Sequence, residues 1–132
     1  MKDTFKHKGL RKKLVETLHK KGIRDINVLD AIGRVPRHLL IESFLEKRAY
    51  EDTALPIGEG QTISQPYTVA YQTELLEVQP GDKILEVGTG SGYQAAVLSR
   101  IVKTVSTIEI VRALGKDATR IFADQGLNNI TN

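Results

Sequence analysis

The chain has 132 residues, of which 27% are charged and 40% hydrophobic, a balance typical of one globular domain. No stretch approaches the roughly 20 apolar residues of a membrane span, and the lysine-rich start lacks the apolar segment of a secretory signal. Cysteine is absent, which excludes disulfide bonds, thiolate catalysis and cysteine-ligated zinc. We therefore expect a cytoplasmic protein without a membrane partner or a metal site.

The net charge of +3 is unevenly distributed. Residues 1–24 carry a local balance of +7, so the remainder of the chain is net acidic. Two interpretations of the basic segment stay open, a solvated helix face or a contact surface for nucleic acid. Because aromatic side chains for base stacking do not alternate with these charges, we expect the solvated face and no nucleic-acid partner.

Short helices are predicted over the first part of the chain. Residues 4–21 form an amphipathic pattern. Its apolar positions recur every four residues, at Leu10, Leu14 and Leu18. Asp25 is a suitable N-cap for a second helix, and residues 37–48 predict one or two further helical turns. The residues expected on the buried face of the second helix are Ile26, Leu29 and Ile32.

The character of the sequence changes between residues 49 and 66, where AYEDTALPIGEGQTISQP has neither a helical nor a strand period. An irregular stretch of this length is uncommon inside a compact domain unless it is disordered or builds a site. Disorder is not expected, because apolar anchors are spaced along it at Tyr50, Leu55, Ile57 and Ile63. This segment is therefore a candidate site.

Helix formation resumes at Gln65, with Pro66 in the first turn and Ser64 as the expected N-cap. The expected buried positions of this helix are Val69, Ala70, Thr73 and Leu76. A turn precedes the rest of the pattern, which is a strand over 83–87, a glycine loop over 88–92, a helix from about 93 to 102, a strand over 104–109 and a helix over 111–125. This order predicts a βαβα unit with parallel strands.

The glycine loop allows a ligand to lie against bare backbone at the start of a helix. Its glycines are Gly88, Gly90 and Gly92, whereas the dinucleotide fingerprint G-x-G-x-x-G requires glycine at the position of Tyr93. The loop also lacks the Gly-Lys-Ser/Thr ending of a P-loop. Glu86 stands two residues before the first glycine, at the end of the strand.

The acidic residues at the strand ends discriminate between ligands. A carboxylate at Glu86 repels a pyrophosphate but suits the ammonium and sulfonium groups of S-adenosylmethionine. Glu109, 21 residues after Gly88, is placed to accept hydrogen bonds from the ribose hydroxyls of an adenosine. The loop and the two acids together therefore predict an S-adenosylmethionine site. The alternative interpretation is a tight βα turn flanked by surface acids.

At this point the sequence closely resembles the bacterial protein-L-isoaspartate O-methyltransferases. The resemblance rests on RVPRHLLI, on AYEDTALPIGEGQTISQP, on KILEVGTGSGYQAAVLSRIV and on VSTIEI, and it runs from about Asp25 to Asn132. Its most specific part is LPIGEGQTISQP, which generic methyltransferases lack. The resemblance implies a Rossmann-like, three-layer αβα methyltransferase fold with an N-terminal helical extension. It also implies repair of damaged proteins by methylation of isoaspartyl carboxylates.

The same resemblance implies roles for individual residues. Ser64 takes the catalytic position, and Thr62 and Ser64 are expected to contact isoaspartyl peptides and proteins. The residues expected to contact the cofactor are Gln61, Thr62, Ile63, Ser64, Glu86, Val87, Gly88, Thr89, Gly90, Glu109 and Ile110. We expect residues 1–65 to form the helical and substrate-loop region and residues 66–132 to form the first part of the cofactor-binding domain.

Members of this family are longer than 132 residues and need a larger sheet than the two strands evident here. The sequence therefore predicts a fragment of a longer enzyme or a truncated gene product. We expect it to associate with another copy or partner through the uncovered edge of residues 83–87. We also expect weak cofactor binding and little turnover from this chain alone.

Two rival functions stay open. One is a non-catalytic module that binds partners or nucleic acid through the basic helix. The other is half of a nicotinamide-dependent oxidoreductase, against which Tyr93 and Glu86 argue.

Overall fold

The computed structural model describes residues 1–132 and confirms the predicted βαβα unit. Strand β3 covers Lys83–Val87 and pairs in parallel with strand β4, Thr104–Ile108. Helix α4, Tyr93–Ser99, connects them and packs against β4. Helix α5, Arg112–Asp124, leads to the two-residue strand β5, Ile130–Thr131, which pairs in parallel with β4. The sheet order is therefore β3-β4-β5.

Two helices and two 3₁₀ turns form the first part of the chain. Helix α1 covers Phe5–Lys20 and helix α2 covers Ile26–Arg34. The 3₁₀ turns occupy Arg37–Leu40 and Ser43–Arg48. They confirm the helical turns predicted for residues 37–48. Asp25 accepts hydrogen bonds from the first backbone amides of α2, which confirms its predicted role as the N-cap.

The segment predicted to be irregular contains a β-hairpin. Strand β1, Leu55–Gly58, pairs antiparallel with strand β2, Gln61–Ile63, with a register shift between Pro56 and Gly58. The bulge and the proline disrupt the period-2 pattern by which a strand is recognised in a sequence. Leu55 and Ile63 are buried, so the predicted anchoring of this segment is confirmed.

Helix α3, Pro66–Leu76, follows the hairpin. The predicted buried faces of α3 and α2 were each partly wrong. Leu76 is 57% exposed, because it lies at the last turn before the left-handed Glu77. In α2, Ile26 is 79% exposed at the first position of the helix. The buried residues of α2 are instead Val28, Ala31 and Ile32. Helix α4 is also shorter than predicted, since it ends at Ser99.

A single cluster of 27 buried apolar residues connects the helical part to the sheet. Helix α2 contacts α1, α3 and α4, so it lies at the centre of the helical layer. Val97 of α4 and Val105 of β4 are fully buried in this cluster, together with Leu18 of α1. The sheet and the hairpin are thus held against one shared core.

Two stacked histidines, each hydrogen-bonded to other residues, fix α1 to the 3₁₀ turns. The rings of His7 and His38 stack with their centroids 3.6 Å apart. His7 Nε2 lies 2.6 Å from Glu46 Oε1, and His38 Nδ1 lies 2.7 Å from the Tyr50 hydroxyl. These two histidines approach Asp3, but every ring nitrogen already has a protein partner. In this structure the two rings attach α1 to the 3₁₀ turns.

None of the helices has both the length and the apolar character required to cross a bilayer. One face of the sheet is open, with Leu85, Val87 and Ile108 more than half exposed. Strand β3 lies at the edge of the sheet, and its outer backbone groups are unpaired by any strand. The open edge and open apolar face agree with the expectation from the sequence.

The glycine loop between β3 and α4 packs closely on α5. Gly92 precedes α4 with a φ of +88°, a conformation that favours glycine. A Cβ added to Gly92 would lie 2.7 Å from Cε1 of Phe122, well inside van der Waals contact. Glycine at this position therefore allows both the backbone turn and the packing of α5.

Substitution of Gly92 by alanine is expected to destabilise the fold by roughly 2–4 kcal/mol, because backbone strain adds to overpacking against Phe122. Urea denaturation followed by circular dichroism measures the change. The matched control is Gly9→Ala, since Gly9 lies in α1 with open space around it, and alanine there is expected to stabilise by up to about 1 kcal/mol. Equal stability of the G92A variant and the unsubstituted chain would contradict the packing argument.

Candidate functional site

The glycine loop leaves β3 at the carboxyl edge of the sheet. Gly88, Gly90 and Gly92 all have positive φ, at +94°, +53° and +88°. The amide of Gly88 donates to the Ile108 carbonyl at 2.8 Å, which ties the start of the loop to the end of β4. A Cβ added to Gly88 would meet no atom within 4 Å, so the backbone here borders open space. The loop therefore offers bare backbone to a ligand, as predicted.

Glu86 lies half-buried in β3, directly paired with Thr107 of β4. The Thr107 hydroxyl donates to Glu86 Oε1 at 2.6 Å and lies 2.7 Å from the Thr89 hydroxyl. Burial raises the pKa of Glu86 to about 7, and the nearby charge of Glu109 acts in the same direction. No basic side chain forms an ion pair with Glu86. A half-buried carboxylate without a cation suits a ligand that carries a positive charge.

Glu109 joins the glycine loop to the start of α5. Its two carboxylate oxygens accept hydrogen bonds from the amides of Gly90, at 2.7 Å, and Val111, at 2.9 Å. The backbone donors Val111 and Gly90 lower the pKa of this carboxyl group. Glu109 is therefore ionised and held in place. Each of its oxygens keeps a further lone pair for another donor.

The hairpin lies against the glycine loop. A Cβ added to Gly90 would be 4.0 Å from Cδ1 of Ile57, which belongs to β1. Ile57, Gly90 and Ser91 line a common cleft of about 480 Å³. The other walls of this cleft come from Met1, from residues 38–43 and from residues of α5 and its C-cap. The structure thus brings the two predicted site segments together.

Ser64 does not cap α3, so this prediction was wrong. The N-cap position belongs to Gln65, and no local side chain caps the helix. Asp52 takes over this function from a distance, because its Oδ1 accepts the Tyr67 amide at 2.8 Å. Asp52 also forms an ion pair with Lys21, the residue that follows α1. The hydroxyl of Ser64 is exposed and makes no hydrogen bond within the chain.

The other predicted site residues differ in their exposure. Gln61 and Thr62 are exposed on β2, whereas Ile63 is buried in the core. Val87 and Ile110 are 76% and 97% exposed beside the glycine loop. Thr89, in contrast, is buried with its hydroxyl against that of Thr107. The exposed side chains among them offer an accessible surface, and Ile63 is an apolar anchor.

Sequence reasoning missed Thr107 and Asp52 as supports of the site. Thr107 is predictable once β3 and β4 are aligned in parallel, because the register then places it beside Glu86. Asp52 is different, because no alignment of neighbouring strands identifies it. Its actual partner, the Tyr67 amide, is 15 residues away, and no local pattern indicates such a cap.

The model of the protein-L-isoaspartate(D-aspartate) O-methyltransferase family matches residues 9–132. The chain belongs to this family. The match begins in α1, so the relationship covers more of the chain than the expected start near Asp25.

Curated members of the family are similar over most of this chain. The protein-L-isoaspartate O-methyltransferase of Flavobacterium psychrophilum is 55% identical over 127 residues, which are 96% of this chain and 60% of that protein. The enzyme of Flavobacterium johnsoniae is 58% identical over 92% of this chain and 57% of its own length. The chain thus spans about 60% of the length of these relatives.

Solved structures of the family share the fold. A protein-L-isoaspartate O-methyltransferase with 32% identity superposes with a TM-score of 0.84 over 92% of this chain and 40% of its own. A beta-aspartate methyltransferase from Plasmodium falciparum, solved in complex with S-adenosyl-L-homocysteine, has 26% identity and a TM-score of 0.78. The superposition includes 92% of this chain and 61% of the Plasmodium falciparum chain. The predicted Rossmann-like methyltransferase fold is therefore confirmed for this family member.

Replacement of Glu86 by glutamine is expected to change how stability depends on pH. Because the folded-state pKa is raised to about 7 from 4.5, the folded chain binds more protons than the unfolded chain between these values. The Glu86 contribution to stability is therefore largest below pH 4.5 and falls as pH rises to about 7. E86Q removes this loss and is expected to be more stable than the unsubstituted chain at pH 8.

Urea denaturation at pH 5 and pH 8 measures this difference, with the exposed Glu16 changed to glutamine as the control. E16Q is expected to follow the unsubstituted chain at both values. An E86Q variant that loses stability between pH 5 and pH 8 as much as the unsubstituted chain would show that Glu86 is not strained by burial.

Proposed function

We propose that this chain contributes to S-adenosylmethionine-dependent methylation of the free carboxylate of L-isoaspartyl residues, the first step in repair of damaged proteins. The contact between the hairpin, which carries Thr62 and leads directly into Ser64, and the loop that carries Gly90 supports this most directly. That contact places the segment most specific to the family beside a backbone suited to the cofactor. Family membership supports the same reaction.

The proposed cofactor fits the residues of the loop. When bound, S-adenosylmethionine supplies a methyl group on a sulfonium centre. Glu86, a half-buried carboxylate without a cationic partner, would accept hydrogen bonds from the ammonium group of the methionine end. Gly88 and Gly90 would leave room for close approach, and Glu109 would accept from the ribose hydroxyls. The further cofactor contacts proposed are Gln61, Thr62, Ile63, Ser64, Val87, Thr89 and Ile110.

The proposed substrate requires no general base in the segment around Ser64. A carboxylic acid with a pKa of about 4 is ionised at neutral pH, so its oxygen attacks without prior deprotonation. Residues 54–70 contain no histidine or lysine, and their only acid, Glu59, is exposed in the hairpin turn. The free hydroxyl of Ser64 can donate to the substrate carboxylate and orient it. Placement in line with the methyl group then accounts for the main part of the catalysis.

The remaining expectations stay proposals. Residues 1–65 would supply the helical and substrate-loop region, and residues 66–132 the first part of the cofactor-binding domain. The partners would be isoaspartyl peptides and proteins, and the location would be the cytoplasm. The open edge of β3 and the exposed side chains of Leu85 and Val87 support self-association of the chain.

Transfer of labelled methyl groups to an isoaspartyl peptide tests the proposed function. The chain is assayed beside the full-length relative from Flavobacterium psychrophilum, and we expect weak transfer by the chain alone. Ser64→Ala is expected to reduce transfer by roughly tenfold or more, since the substrate carboxylate loses a hydrogen-bond donor.

The matched control is Thr17→Ala, which removes a remote hydroxyl that contacts only the Lys13 carbonyl of α1. Binding of S-adenosylhomocysteine and of nicotinamide dinucleotides is measured by calorimetry in the same samples. Preference for a dinucleotide would favour the oxidoreductase alternative. Binding of neither, together with no transfer, would favour a non-catalytic module.

A further inference from the structure

Arg37 is the largest fully buried side chain of the molecule, with no measurable exposure. No carboxylate forms an ion pair with it. Its guanidinium group lies 5.5 Å from the ring centroid of Tyr93, and its Nε atom has no hydrogen-bond partner. Burial of a cation without an anion is costly unless its donors are satisfied in another way.

The acceptors of Arg37 are three backbone carbonyls of the hairpin segment. Nη1 donates to the Ala49 carbonyl at 2.7 Å, and Nη2 donates to the carbonyls of Thr53, at 2.8 Å, and Ser64, at 3.2 Å. These carbonyls lie before and after the hairpin in the sequence. A single planar group therefore closes the base of the loop that carries residues 55–63.

The bond to Ser64 reaches the residue in the proposed catalytic position. The Ser64 hydroxyl has no partner within the chain, so the backbone determines the position from which it reaches the site. Arg37 holds the carbonyl of Ser64, and Asp52 holds the start of α3 two peptide units later. These two contacts fix the chain on both sides of Gln65.

We propose that Arg37 is a positioning residue for methyl transfer, which acts through the Ser64 carbonyl and touches neither substrate nor cofactor. This inference rests on the proposed function and adds a residue to its site. Lysine does not replace arginine in this role, because its single ammonium group lacks the fork that reaches three separated carbonyls. The role requires the shape of the group as well as its charge.

Hydrogen exchange with mass spectrometry on the 132-residue chain tests the structural part without any activity. Arg37→Lys is expected to increase exchange in residues 53–66 by at least tenfold, while β4 exchanges as in the unsubstituted chain. The matched control is Arg34→Lys, since Arg34 is exposed and contacts only Asp30. Exchange that stays unchanged, or that rises equally throughout the R37K chain, would overturn the proposal.

The transfer assay tests the catalytic part. R37K is expected to lower kcat for an isoaspartyl peptide about tenfold, with binding of S-adenosylhomocysteine changed less than twofold. Equal losses in both quantities would assign Arg37 a merely structural role. A chain without transfer activity contradicts the proposed function, whereas the exchange result still decides whether Arg37 orders the segment of Ser64.

A measurement on the unsubstituted chain covers the case in which R37K does not fold. Nuclear magnetic resonance of the arginine side chains is expected to show slowly exchanging Nη protons for Arg37, coupled to the carbonyl carbons of Ala49, Thr53 and Ser64. Rapidly exchanging Nη protons would overturn the proposal on their own.

Discussion

The parallel register of β3 and β4 is the constraint on which the candidate site depends. It pairs Glu86 with Thr107, and it brings the ends of both strands to one edge of the sheet. The glycine loop begins at this edge and is tied to the end of β4 through Gly88. Glu109 then holds the loop from the other side. A shift of one residue would turn these side chains to the opposite face and separate them.

The position of Glu86 in this arrangement lowers the folding stability of the chain at neutral pH. Glu86 occupies a half-buried position where no basic side chain compensates its charge, and burial raises its pKa to about 7. A protein selected for stability alone would place an apolar residue or an amide at this position. The hydroxyl of Thr107 reduces the cost without removing it. Retention of the carboxylate is understandable if a cationic ligand completes the site.

The sequence alone was sufficient to predict those elements whose conformation is determined by neighbouring residues. The β-branched run of β4, the glycines at 88–92 and the cap at Asp25 each specify their own conformation, and all were predicted. The resemblance in LPIGEGQTISQP identified the family, although this segment was not recognised as a hairpin. The bulge between Pro56 and Gly58 explains that failure, because it disrupts the alternation of side chains.

Contacts between distant parts of the chain could not be predicted in this way. Ser64 has the right chemistry for an N-cap, yet Asp52 provides the cap from outside the helix. The sequence indicates an ordinary surface residue of a short turn at Arg37, yet this side chain is fully buried. In both cases the deciding partners are backbone groups, and backbone groups leave no signature in the residue types.

The stacked histidine rings have a consequence for the behaviour of the chain in acid. Burial lowers the pKa of His38, and the neighbouring charges of His7 and Arg11 act in the same direction against the influence of the Lys2 carbonyl and Asp3. The unfolded chain therefore takes up a proton at His38 more readily than the folded chain below pH 6.5. Acidification therefore lowers the stability of the folded chain, and the group responsible lies where α1 meets the 3₁₀ turns, outside the sheet.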